Sequence, residues 1–291
     1  MRFSWLVLCV AVVGCSADGG EETDTAVSAA SCGGSDAVRM HWVIDSLYFA
    51  RVEDGISDGF DLDGVASSAG GADGCGRADF TGPGGRTGID NAFGEVIPAL
   101  ENTEFVAAEA LINDTIRTGE LMLVVSMDQV DDPSDDSCVE LSLGRATGDP
   151  MLGTDGSFLA GQTLMPDPSF DGAVIPGVVL EAGTAEGRPV SATIPVQVLD
   201  AALEFEVLDG ALRIDQAEDG SASGVFGGGI DIATILAVAT EQAVADKVGQ
   251  ILETVLYLVA DLAPGVDGTC EQISVTFEYS ATSVYLFEPD E

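Results

Sequence analysis

Two periodicities alternate along this chain. Met40, Trp42, Ile44, Leu47 and Phe49 fall in a run rich in β-forming residues that ends at Asp54-Gly55, and this predicts a strand over residues 38–52. Asn91 to Leu100 and Phe105 to Thr118 carry helical spacing. In the second of these, Phe105, Ala108, Leu111, Ile112 and Ile116 form one apolar face, and Gly119 is a natural stop. Leu121 to Met127 is densely apolar, and in Cys138 to Arg145 the residues Val139, Leu141 and Leu143 alternate with Glu140 and Ser142, so both read as strands.

Closely spaced strands follow: a short one near Phe158, then Ala173 to Glu181, Val190 to Leu199, Leu203 to Leu208 and Ala211 to Asp215. Asp209-Gly210 between the last two predicts a hairpin turn, and Pro176 and Pro195 place their strands at an edge or a bulge. Gly227-Gly228-Gly229 lacks the spacing of a phosphate cradle and reads as a tight strand-to-helix turn. From Ile232 to Leu262 the apolar positions recur at helical spacing. Glu241, Asp246, Lys247, Gln250, Glu253 and Asp261 interrupt them too often for a membrane span. Ile273, Val275, Phe277 and Tyr279 alternate with polar residues as a closing strand. The expected fold class is α+β: one mostly antiparallel β sheet or sandwich with two helical blocks packed against it.

The amino end has a different pattern. Met1-Arg2, the apolar run Trp5 to Val13 and the small-residue junction at Gly14-Cys15 read as a secretion leader, and the run is shorter than the ~20 residues needed to span a bilayer. Val12-Val13-Gly14-Cys15 resembles the lipobox of bacterial lipoproteins. That resemblance makes residues 1–14 the signal peptide and Cys15 the lipidated first residue of the mature chain, and Ser16 points to outer-membrane sorting. Residues 15–36 are Gly, Ser, Ala, Thr and acid without apolar period, a flexible tether, and residues 37–291 form a single domain.

Charge narrows the partners. The chain has 50 acidic and 10 basic residues. Removing the leader takes away Arg2 and no acid, so the mature chain keeps 50 against 9 and a formal charge of −41. Nucleic acid is a poor partner for that field, and membrane contact is expected through the lipid alone. At 46% hydrophobic content the chain still builds a substantial core. Cys32, Cys75, Cys138 and Cys270 remain in the expected oxidising compartment and form two disulfides. Of three connectivities, Cys32–Cys270 with Cys75–Cys138 is favoured, because each would tie a loop to a strand start.

Candidate chemistry is concentrated between Asp54 and Asn91. Asp58, Asp61 and Asp63 lie within six residues of one another, with Gly59 and Gly64 letting the backbone turn around a centre, and Asp90-Asn91 follows after a Gly/Ala/Ser-rich insert. Crowded carboxylates of this kind suit a hard cation, and Ca2+ is the expected ion. The alternative is a solvated Asp/Gly loop that only turns the chain. Asp61-Leu62-Asp63-Gly64 and Ile89-Asp90-Asn91 resemble the two halves of a D-L-D-G-D-G-x-V-D-N segment carried by a broad group of acidic secreted bacterial lipoproteins. That segment is in turn similar to Ca2+ loops of the EF-hand, dockerin and thrombospondin type 3 kind. Here residues 65–88 are interposed, so the halves meet only if the insert loops out and returns.

Catalytic patterns are sparse. There is no G-x-S-x-G, and His41 is the only histidine, so the reading leans away from an enzyme. The expected function is a monomeric, lipid-anchored protein of the outer membrane or cell surface, structural, adhesive or an interaction module. A carrier of a hydrophobic ligand is the alternative, motivated by the apolar helical stretch of residues 232–262.

Overall fold

The computed structural model describes residues 32–71, 74–100, 106–198, 201–241 and 246–287. The expected leader, Cys15 and residues 16–31 of the tether lie outside them.

Ten strands and four helices follow in the order β1 (Val38–Phe49), α1 (Ala92–Leu100), α2 (Val106–Thr118), β2 (Met122–Val130), β3 (Asp136–Thr147), β4 (Gln162–Pro166), β5 (Ala173–Glu181), β6 (Thr184–Val198), β7 (Ala201–Gln216), β8 (Ala222–Asp231), α3 (Ile232–Glu241), α4 (Asp246–Val259), β9 (Leu262–Pro264) and β10 (Cys270–Leu286). Eight of the strands close on themselves. From β1 the ring runs through β2, β3, β5, β6, β7, β8 and β10 and back to β1, and every pairing in it is antiparallel. This corrects the expected α+β sheet or sandwich with two helical blocks: the protein is a closed antiparallel β-barrel to which four short helices are added. β4 joins the wall beside β3 and, in parallel, β10, and β9 adds to β10.

Closure follows from strand length. A sheet closes only when its strands are long and tilted enough to carry the stagger around the ring. Residues 201–216 are one strand and not two. Asp209-Gly210 is a bulge in it, where the pairing to β6 and β8 slips and Asp209 takes a φ of 48°, not the turn of a hairpin. Gly227, Gly228 and Gly229 likewise lie inside β8 and not at a strand-to-helix turn. A Cβ on Gly228 would stand 2.6 Å from Val207 and 2.8 Å from the Cα of Gly210, so the triplet lets the wall bend tightly at the bulge.

The interior is apolar. In β5 Ile175, Val178 and Leu180 are buried between exposed neighbours, and in β3 Val139, Leu141 and Leu143 alternate with half-exposed polar residues. The β3 wall is thus apolar inward and polar outward, whereas β5 also exposes Val174 and Val179. Phe277 stacks between Phe49 and Phe226, with ring centroids 4.7 and 6.2 Å away. Trp42, 1% exposed, donates from its indole N–H to the Gly220 carbonyl in the turn between β7 and β8. α2 contacts both β1 and β6, which stand on opposite sides of the ring, so it lies across the barrel with Ile112 and Ile116 buried.

One wall edge needs a partner that no strand supplies. β1 pairs with β2 only as far as Val43, yet it continues to Phe49. α2 fills the gap. Asn113 accepts from the Leu47 N–H and donates to the Leu47 carbonyl, and Glu109 accepts from the Phe49 N–H while gripping Arg51. The amide side chain does the work of a strand neighbour on an edge that would otherwise be open.

The disulfides are Cys32–Cys138 and Cys75–Cys270, which corrects the favoured pairing of Cys32 with Cys270 and Cys75 with Cys138. Each joins a segment lying outside the barrel to the first residues of a strand, and the Cα separations of 5.1 and 6.0 Å suit a bridge.

Candidate functional site

Residues 50–91 form a long excursion laid against the outer wall. Its two arms meet through isolated ladder bridges, Ile56 with Thr81, Phe60 with Asp90 and Phe80 with Ile89, so the insert does loop out and return. Phe60 and Leu62 pack on Ala211 and Val225 of β7 and β8. Gly59, at φ 151°, is held where a Cβ would meet Ile89 and Thr276 at 2.9 Å each. Cys75 anchors the distal part of the excursion to the start of β10.

This closure brings Asp61, Asp63 and Asp90 together, with one carboxylate oxygen of each within 4.8 Å of the others. Asp90 is buried, and its Oδ2 accepts the Leu62 N–H at 2.6 Å and the Asp63 N–H at 3.4 Å. Burial, with the charges of Asp261, Asp63 and Asp79 around it, pushes the Asp90 carboxyl up to about 8, against the hydrogen bond from Leu62. Unit charges at such a spacing repel by ~3 kcal/mol at an effective dielectric near 20, so the cluster cannot stay fully ionised without a counter-charge. No described ion pair supplies one. Arg86 and Arg188 spend their guanidinium donors on the Gly59 and Asp61 carbonyls and on Glu186, and Arg77 lines the neighbouring cavity with Asp79 and Asp261. Asp61 Oδ1 is buried without a hydrogen-bond donor, the condition in which a carboxylate oxygen suits a hard cation.

The other expected ligands go elsewhere. Asp58 is diverted into an ion pair with Arg213 at 2.7 Å, 155 residues away, with Arg86 at 3.9 Å. Asn91, 1% exposed, donates to the Ala50 carbonyl and the Ser57 hydroxyl and so clamps the end of β1 to the excursion.

Two acids not expected from the sequence join the cluster. Asp79 accepts the Ser67 N–H, and burial together with the Asp63 and Asp61 charges raises its carboxyl despite that bond. Asp261 is buried, takes both the N–H and the hydroxyl of Ser274, and is pushed up to about 6 chiefly by burial. Asp79, Asp261, Asn91 and Glu95 share a cavity of about 190 Å³. Asp261 had a signal, an acid inside the apolar run Leu258 to Leu262, whereas Asp79 had none.

The aspartates of the turn at 131–136 are not a second cluster. Asp131, Asp132 and Asp135 accept the main-chain N–H groups of Gly34, Ser134 and Ala182, and Asp136 accepts those of Cys138, Asp131 and Asp132. Asp155, Asp167, Asp219 and Asp267 cap turns in the same way, accepting from Ser157, Ser169, Ser221 and Thr269, and those donors hold their carboxyls below the usual range. Part of the acid surplus is turn chemistry.

His41 bonds to the Ser126 hydroxyl at 2.8 Å. A groove of about 640 Å³ opens where β5 and β6 share only two residue pairs, and it is lined by Ile175, Val178, Glu186 and Arg188 among others. No family model, curated protein or solved structure matches the chain.

Proposed function

We propose that this chain is a lipid-anchored protein of the bacterial outer membrane or cell surface, attached through Cys15, whose barrel is a structural or interaction module and whose excursion binds Ca2+ at Asp61, Asp63 and Asp90. The observation that supports the cation most is the crowding of three carboxylates, one of them the buried Asp90, with no arginine ion-paired to them among the described residues. Ca2+ takes six to eight oxygens, so waters and further oxygens would complete the shell. Bound there, the ion would offset the repulsion and pin the front arm of the excursion to the back arm at Phe60–Asp90. The two disulfides support an oxidising compartment, as the leader and lipobox do.

A barrel is also a familiar scaffold for carriers of hydrophobic ligands. The interior here is taken up by Trp42, Phe226, Phe277 and the residues of α2, which favours the structural or interaction reading. Thermal unfolding of chelator-stripped protein tests the cation: added Ca2+ is expected to raise the melting temperature, and Asp61→Asn with Asp63→Asn to abolish the rise. A wild-type protein indifferent to Ca2+ would remove the metal from this reading. Retention of Cys15→Ala in the membrane fraction would remove the anchor.

A further inference from the structure

Where the chain enters the barrel, its surface is apolar. β1 begins at Val38, three residues before His41, and His41 stands opposite Val284; Phe287 lies three residues beyond Val284. The strand that follows the tether and the strand that ends the described chain therefore lie side by side. The neighbouring stretch is β4, parallel to β10 with Thr163 beside Tyr285, and the Phe287 N–H donates to the Leu164 carbonyl. In this ribbon Gln162, Leu164 and Val284 are buried, while Thr163, Met165, Tyr285 and Phe287 share the opposite, exposed face.

Tyr285 is 67% exposed, Met165 49% and Phe287 47%. Met151, Leu152 and Leu159, also exposed, precede β4 in the same loop, and Gly161 lies against the Tyr285 ring. Tyr285, Met165 and Phe287 together form an exposed apolar face on this ribbon, and tyrosine and phenylalanine are the residues that settle at the boundary of a bilayer.

We infer that this patch is a membrane-contact face, which lies on the headgroup boundary of the bilayer that holds the anchor. The inference rests on the reading of Cys15 as the lipid site. Position argues for a lipid surface: the patch adjoins the point where the tether joins the barrel, and 16 residues lie between Cys15 and Cys32, which the Cys32–Cys138 bridge staples to β3. A fully extended tether of that length reaches about 55 Å, and a relaxed one much less, so the entry point of the barrel stays close to the bilayer. Charge selects the lipid. A chain of formal charge −40 is repelled by anionic headgroups, so the expected surface is zwitterionic.

The test uses full-length lipidated protein in phosphatidylcholine vesicles, with pyrene on Tyr285→Cys, on Met165→Cys as a second patch position, and on Val65→Cys in the excursion as the reference. The native cysteines of the barrel are paired, so the new thiol takes the label. Flotation with the vesicles reads the anchor, and quenching by bromine-labelled lipid reads the patch. The expected result is co-flotation with quenching at 285 and 165 stronger than at 65, on the order of twofold or more for groups seated at the headgroup boundary. Co-flotation with equal quenching at all three positions overturns the contact face and leaves the anchor standing. Pyrene excimer emission without quenching assigns the patch to a second copy of the chain and overturns it too. Protein that does not float overturns the anchor, and the contact face falls with it.

Discussion

The barrel wall and the acidic excursion are built on opposite principles. The wall is held by continuous antiparallel ladders and by side chains such as Trp42, Val43 and Phe226 that are 1% exposed or less. Between Glu53 and Asp90 the described chain is held, in place of continuous ladders, by isolated bridges, a disulfide, arginine contacts to Asp58, Gly59, Asp61 and Glu186, and a few apolar contacts through Phe60, Leu62 and Ile89. The wall excludes water and so needs no charge. The excursion concentrates charge and so depends on what neutralises it. Cooperative burial gives a region stability of its own, whereas a polar segment borrows stability from staples and ions.

The sharpest way to break this contrast is to hollow the wall. Phe226→Ala is expected to cost about 3–5 kcal/mol and to lower the stability of both regions together, because the excursion has nothing else to rest on. Denaturant melts followed by hydrogen exchange check it. If the excursion kept its protection while the wall lost its own, the dependence would be refuted.

The next effect is ionic. Ca2+ at a hundredfold excess over its Kd is expected to add about 2.7 kcal/mol, and the exchange protection gained should fall on residues 56–63 and 79–91 and not on the ladders. Its pH dependence has a definite sign. The folded Asp90 carboxyl, pushed up to about 8, binds its proton more tightly than an unfolded aspartate with an ordinary value of 3.8. Cation-free protein therefore has the full benefit of the protonated form below about pH 4 and loses it as pH rises toward 8. Asp261, at about 6, adds to the same decline. The turn aspartates 155, 219 and 267, held low, act in the other direction and withdraw their support as pH falls below 3.8. Because Ca2+ must displace the Asp90 proton, its apparent affinity should rise roughly tenfold per pH unit up to about pH 8. Calorimetric titration at pH 6, 7 and 8 measures it. Asp90→Asn should flatten the cation-free decline and weaken the ion together.

The smallest effect sharpens the contrast from the side of the wall. Asn113→Ala leaves the Leu47 N–H and carbonyl without partners and is expected to cost about 1–3 kcal/mol, with exchange rising at the end of β1 alone. The change in melting temperature together with site-resolved exchange checks it.

Local features were legible in the chain because they rest on near neighbours. The apolar run Ala173 to Glu181 gives β5 with the same limits in the structure, and the apolar spacing before Gly119 gives α2 to within a residue. What depends on distant pairing was not legible. Ring closure is a matter of register between strands far apart, and Asp209-Gly210 reads as a turn until β6 and β8 are seen to continue past it. The same limit applies to the cluster. Asp61, Asp63 and Asp90 could be grouped because crowded carboxylates leave a sequence mark, but Asp58 lost its place to Arg213, whose approach no local pattern announces. Asp79 is placed by a turn of the interposed insert, and the disulfide partners by the path of the strands.

The bond between Asn113 and the edge of β1 also bears on how the barrel is assembled. Until α2 settles, the stretch from Ile44 to Phe49 offers bare main-chain groups to any passing strand, including those of sister molecules. A helix made after β1 and before β2 is on hand to cover that opening while the remaining wall is still being synthesised.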